Sequence, residues 1–149
     1  MAEKVLIVAA RFNELVTRSL VDGAVQTLKD GGLQDNQIFT TWVPGAFEIP
    51  VVAAKAARSK GFDAVICLGA VIRGNTAHFD YVAGPAASGI MNVSVETEVP
   101  VIFGVLTTDT VEQALNRAGL KLGNKGSEAA QTALQMIQTL KTVEEWSKN

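Results

Sequence analysis

The 149-residue chain contains one cysteine, Cys67, and one histidine, His78. A lone cysteine excludes an internal disulfide framework, and a single imidazole beside it leaves no ligand set for an ordinary zinc site. Charge of one sign is not in excess. Thirteen Lys and Arg stand against fifteen Asp and Glu, a net charge of −2, which gives no support to a general nucleic-acid or acidic-membrane binder. Long apolar runs are missing too. The run Val5–Ala10 stops at Arg11 and is too short for a signal-peptide core or a membrane span. The expectation is a cytoplasmic protein that binds neither nucleic acid nor membrane. Charged residues make up only 19% of the chain, against about 25% in average domains, and the mean hydropathy is +0.21. That scarcity hints at surface hidden between copies of the chain. No repeat, linker or low-complexity tract divides residues 1–149, and the length suits a single domain.

What is present is an alternation of apolar runs and helical patterns. Val5–Ala10 reads as a strand buried on both faces. Asn13 is placed to cap a helix whose apolar positions Leu20, Val21, Ala24, Val25 and Leu28 recur at helical spacing, closed by Gly31 and Gly32. Ile38–Val43 is a second strand, and a helix opens near Pro50. Ala64–Ile72 is the third strand. The helix after it runs from about His78 to Val95, with a kink or a late start expected at Pro85. Val101–Leu106 is the fourth strand, and Asp109 with Glu112 has the spacing of a capping box opening a short helix. The last helix spans about Gly126–Glu145, with Ala130, Ala133, Leu134, Ile137 and Leu140 inward. Strand and helix alternating in this way imply an α/β fold, a parallel sheet with helices on both faces. Ligands then bind beyond the carboxyl ends of the strands.

Four loops lie at that edge: Arg11–Asn13, Pro44–Glu48, Arg73–His78 and Thr107–Thr110. Spacing alone gathers Phe12, Phe47, Glu48, Arg73 and His78 there. Each also has an ordinary reading. Phe12 could pack into the core, Glu48 could favour a helix start, and His78 could open a helix or stand exposed. Asn75 and Thr76 could cap that helix, although free N–H groups there also suit a phosphate. Cys67, in mid-strand, reads as a small buried hydrophobe, and Trp42 and Trp146 as packing or surface residues. Between the last two helices, Arg117, Lys121, Lys125 and three glycines fall within ten residues. This is either a solvated turn or a cradle for an anion, with Arg117 offering planar bidentate hydrogen bonds.

These residues carry a resemblance. Ala10-Arg-Phe-Asn13, Val43-Pro-Gly-Ala-Phe-Glu-Ile-Pro50, Gly69-Ala-Val-Ile-Arg-Gly74 with Thr76 and His78-Phe-Asp-Tyr81, Pro100-Val-Ile-Phe-Gly-Val-Leu-Thr-Thr108 and Gly123-Asn-Lys-Gly126 resemble, in order, the motifs of the 6,7-dimethyl-8-ribityllumazine synthase family. The resemblance implies a flavodoxin-like three-layer α/β/α sandwich with a four-stranded parallel sheet of order 2-1-3-4. It also implies a transferase acting at the penultimate step of riboflavin biosynthesis. There, 5-amino-6-(D-ribitylamino)uracil condenses with 3,4-dihydroxy-2-butanone 4-phosphate, and phosphate and water leave. No metal or organic cofactor is implied. On the family pattern Phe12 lies against the pyrimidine. Ala46, Phe47 and Glu48, with Ala70, Val71 and Ile72, take the ring and ribityl chain. Asn75 and Thr76 contact the phosphate substrate, and His78 moves protons. Phe103 and Arg117 come from the adjacent subunit, Arg117 holding the phosphate with Lys125 assisting.

The resemblance further implies a homopentamer with sites between neighbours, an icosahedral shell of twelve pentamers in many members, and association with riboflavin synthase. Two features of the chain point to different assemblies. Family members carry a further N-terminal stretch of roughly a dozen residues that reaches a neighbour's sheet, whereas here the first strand begins at Val5. The turn from Gly119 to Gly126, in contrast, resembles that of shell-forming members. Two other functions share the fold class. A flavin- or nucleotide-binding module is disfavoured because Arg11-Phe-Asn13 stands where a Gly-x-Gly-x-x-Gly loop would. A non-catalytic shell protein would need neither His78 nor Arg117.

Overall fold

The computed structural model describes residues 3–74, 77–121 and 123–149. The elements in chain order are β1 (Val5–Ala10), α1 (Glu14–Asp30), β2 (Ile38–Val43), α2 (Ile49–Arg58), β3 (Ala64–Ile72), α3 (His78–Thr97), β4 (Val101–Thr108), α4 (Val111–Arg117) and α5 (Lys125–Ser147). Short 3-10 turns at Asp35–Gln37 and Ala46–Glu48 precede β2 and α2. The four strands form one parallel sheet in the order β2-β1-β3-β4.

β1 and β3 occupy the centre, where both faces are covered, which is why their sequences are unbroken apolar runs rather than alternations. Successive side chains still point to opposite faces, and they divide the interior in two. Val5, Ile7 and Ala9 join Ile66 and Leu68 under α1, α4 and α5. Leu6, Val8 and Ala10 join Val65 and Cys67 under α2 and α3. Cys67 is fully buried, and burial pushes its thiol well above the ordinary value. The neutral thiol should therefore be inert in the folded protein. A disulfide reagent such as dithionitrobenzoate at about pH 8 should titrate no thiol in buffer and one in denaturant. Rapid reaction in buffer would show that the sheet opens at β3.

Several local expectations are corrected. Asn13 does not cap α1 through its side chain. It adopts a left-handed backbone conformation (φ 62°, ψ 43°), and the first turn is closed instead by its carbonyl, which accepts from Val16 N at 3.0 Å and Thr17 N at 3.1 Å. Pro85 lies inside α3 and does not delay its start at His78. The N–H that proline removes would have met the Tyr81 carbonyl, and both residues face outward, where water can take that bond. β4 continues to Thr108, because the Arg73 N–H donates to the Thr108 carbonyl at 2.7 Å and prolongs the β3–β4 ladder. α4 consequently starts later than Asp109 would set it. Its cap is Thr110, whose hydroxyl accepts from Gln113 N at 3.1 Å. Leu140, expected inward, is partly exposed on α5, whereas Ala130, Ala133 and Ile137 are buried.

Candidate functional site

The carboxyl edge is built by continuing the strand pairings past the strands themselves. Arg11 N donates to the Val43 carbonyl at 2.8 Å and Phe12 N to the Pro44 carbonyl at 3.0 Å. The first loop is thereby held against the second. The chain turns into α1 at Asn13, which leaves Phe12 projecting, 71% exposed. Such exposure rules out the core-packing alternative for that ring. In the second loop the 3-10 turn closes with Glu48 N donating to the Gly45 carbonyl at 3.1 Å. It buries Ala46 and leaves Phe47 59% exposed.

These loops, the end of β3 and the start of α3 enclose a cleft of about 550 Å³. Phe12 and Pro44–Glu48 form one side, and Ala70, Val71 and Ile72 form the floor. His78, Phe79, Tyr81 and Val82 of α3 close the far side. The walls are mostly apolar and include three exposed aromatic rings, Phe12, Phe47 and Tyr81, with one carboxylate (Glu48) and one imidazole (His78) among them. Such a cleft suits a flat, amphipathic molecule: ring faces meet the apolar walls, and hydroxyl or amide edges meet the polar groups. Among the described residues no group of three His, Cys, Asp or Glu is placed to hold a metal ion.

Phe103 and Arg117 are elsewhere. With Val105, Thr107, Lys125 and Glu128 they line a separate cleft of about 340 Å³, which shares no residue with the first. Among the described residues no carboxylate lies within ion-pairing distance of Arg117 or Lys125. The two cations therefore remain available to an anion. Asn75 and Thr76 lie outside the described residues.

Arg73 lies at the edge where spacing places it, but it does not line the cleft. Its guanidinium lies 4.4 Å from the centre of the Phe79 ring, 3.2 Å from the Asp109 carboxylate and 3.8 Å from that of Asp80. It clips the start of α3 to the β4–α4 turn. These exposed ion pairs contribute little individually, but Phe79, beneath the guanidinium, is also a lining residue of the cleft. Tyr81 and Val82 were not singled out from sequence, although a signal was there: positions 78, 81 and 82 share one face of a helix. Glu128 likewise follows Lys125 at i+3.

The sequence profile of the 6,7-dimethyl-8-ribityllumazine synthase family matches residues 2–141. A curated relative, the 6,7-dimethyl-8-ribityllumazine synthase of Protochlamydia amoebophila (strain UWE25), is 57% identical over 131 residues. These cover 88% of this chain and 76% of the relative.

Proposed function

The chain belongs to the 6,7-dimethyl-8-ribityllumazine synthase family, transferases of riboflavin biosynthesis, and from that premise we propose how its two clefts divide the reaction. The larger cleft takes 5-amino-6-(D-ribitylamino)uracil. The smaller, presented by a neighbouring copy, takes the phosphate of 3,4-dihydroxy-2-butanone 4-phosphate. The observation that supports this division is the separation of the groups themselves. One chain carries the aromatic walls with His78 in one cleft and the cations Arg117 and Lys125, without an ion-pair partner among the described residues, in another, with no lining residue in common.

Phe12 supplies a flat face for the pyrimidine. Ala46, Phe47 and Glu48, with Ala70–Ile72, receive its edge and the ribityl chain, where the Glu48 carboxylate can accept from hydroxyls. The aromatic amine attacks the ketone, so a proton must leave nitrogen and another must reach oxygen as water departs. His78 is the group in the cleft suited to both transfers, since an imidazole exchanges protons near neutrality. The phosphate, close to doubly charged, is held by Arg117 with Lys125 and departs from that pocket. Asn75 and Thr76 contact the same phosphate in this reading, and Phe103 covers the pyrimidine from the neighbour. Holding two substrates in register supplies much of the acceleration.

Any closed ring of copies gives every His78 cleft one Arg117 neighbour, and in this reading the ring has five members. Sedimentation distinguishes such a pentamer from a shell of twelve. A cytoplasmic location and association with riboflavin synthase belong to the same reading. Incubating the purified protein with both substrates should produce lumazine absorbance and inorganic phosphate in equal amounts. Neither product forming above the uncatalysed rate would overturn the assignment. Phe12→Ala should raise the KM of the pyrimidine about tenfold and leave that of the butanone phosphate nearly unchanged, because it removes only a ring face. Equal loss for both substrates would indicate damage to the loop.

A further inference from the structure

The left-handed residue at the edge of the cleft carries more than a turn. β3 pairs with β1 only as far as Ala9 opposite Leu68, yet it remains paired with β4 to Ile72 opposite Thr108. Beyond Leu68 the β1 side of β3 has no strand to satisfy it. Ala70 is nevertheless buried, 4% exposed, and its carbonyl points to that vacant side. Asn13 fills the place of the missing strand. Its side-chain Nδ2 donates to the Ala70 carbonyl at 2.9 Å, across 57 residues of chain.

Two requirements meet at this residue. The backbone must enter the left-handed region for β1 to turn into α1, and apart from glycine, asparagine is among the few residues that tolerate it. The buried carbonyl must receive a donor. Glycine satisfies the first only. Aspartate satisfies the first but sets a carboxylate oxygen against a carbonyl oxygen, and alanine satisfies neither. Phe12, immediately before, is tied to the β2 side by its own N–H on Pro44. Asn13 supplies the tie on the β3 side, where Ala70, Val71 and Ile72 floor the cleft.

We infer that Asn13 is a positioning residue for the pyrimidine: by joining the turn after β1 to the Ala70 carbonyl, it sets the distance between the Phe12 wall and the Ala70–Ile72 floor. This rests on reading that cleft as the pyrimidine half-site. The slot between ring and floor is the dimension a planar ring must fit, whereas the phosphate substrate is held from another surface. Loss of the tie therefore weakens one substrate and spares the other.

The test uses the purified oligomer, with 5-amino-6-(D-ribitylamino)uracil alone as the probe in titration calorimetry and both KM values from turnover. Asn13→Gly keeps the backbone conformation and removes the amide. It should weaken pyrimidine binding about tenfold, with the KM of the butanone phosphate changed less than about twofold. Asn13→Asp, tested at about pH 8, should bind the pyrimidine worse still, because its carboxylate sets an acceptor against the Ala70 carbonyl, again with the butanone phosphate spared. Pyrimidine binding unchanged in Asn13→Gly, or equal loss for both substrates, overturns the inference. If Asn13→Gly does not fold, Asn13→Asp decides alone: pyrimidine binding unchanged, or equal loss for both substrates, overturns the inference. A parent that does not bind the pyrimidine overturns the reading of the cleft instead.

Discussion

His78→Ala and Arg117→Ala, each strongly impaired alone when the butanone phosphate is limiting, should restore activity to one another when mixed. In the proposed reading His78→Ala removes the proton-transfer group, and general acid–base catalysis is worth about 10²–10⁴-fold. A step that water can partly serve should fall toward the lower end. Arg117→Ala removes a charge-assisted, bidentate contact to the phosphate and should raise the KM of the butanone phosphate about 10- to 100-fold. On one chain these residues line clefts that have no residue in common, and in the proposed reading the productive pair forms between copies. In a ring, each interface combines one face of one chain with the opposite face of the next. After dissociation and random reassembly of equal amounts, about one quarter of interfaces join an intact His78 to an intact Arg117. Activity should rise to about a quarter of the parent value. A mixture that exchanges subunits and gains nothing would place both residues in a site within one chain.

Gly126→Ala should cost more stability than any other single methyl group added at a glycine near the cation-bearing turn. A Cβ built on Gly126 overlaps the carbonyl oxygen of Leu20 and stands 2.6 Å from its carbonyl carbon and 2.9 Å from its Cα. The obstacle is the main chain of α1, which cannot move aside as a side-chain tip can. Asn124 fixes the same crossing. Its side chain accepts from Gly126 N at 2.8 Å and Ser127 N at 3.1 Å, capping α5, and donates to the Ser19 carbonyl at 3.1 Å on α1. The methyl must therefore part α1 from α5 or break the cap. Overpacking costs about 1–3 kcal/mol where side chains can adjust, and here the clash is with backbone. A loss above about 3 kcal/mol, or failure to fold, is expected against a total of about 5–15 kcal/mol. Urea denaturation at matched protomer concentration measures it. A variant within about 1 kcal/mol of the parent would mean that the two helices separate cheaply.

Gly126 also illustrates where sequence reasoning stops. It stood in a string that reads as an anion cradle, and Lys125 beside it does line the cationic cleft. The glycine itself, however, is required by a helix more than 100 residues earlier, and no local pattern records that contact. The limits of the three strands Val5–Ala10, Ile38–Val43 and Ala64–Ile72 were legible because apolar runs and β-branched residues end sharply at loops. The apolar pattern of β4 ends at Leu106 because Thr107 and Thr108 are polar, although they are still paired with Val71 and Ile72. The aromatic cleft was legible too, since a parallel sheet brings its loops to one edge. Arg73 is at the expected edge but outside the cleft, because loop membership says nothing of direction, and its guanidinium turns to Asp109 and Phe79. Asn13 has a residue type that caps helices, so its sequence position suggests the common role and conceals the long-range one.

The enclosure of Cys67 within the sheet makes the protein's surface a blank background for labelling. A cysteine introduced at an exposed position, such as Lys148→Cys at the end of α5, would be the one thiol open to maleimide dyes, and the native cysteine need not be replaced. Donor- and acceptor-labelled populations could then be combined and the approach of energy transfer to its plateau followed in real time. That trace would time the passage of chains between assemblies, which fixes how long two inactive variants must stand together before their activity is read.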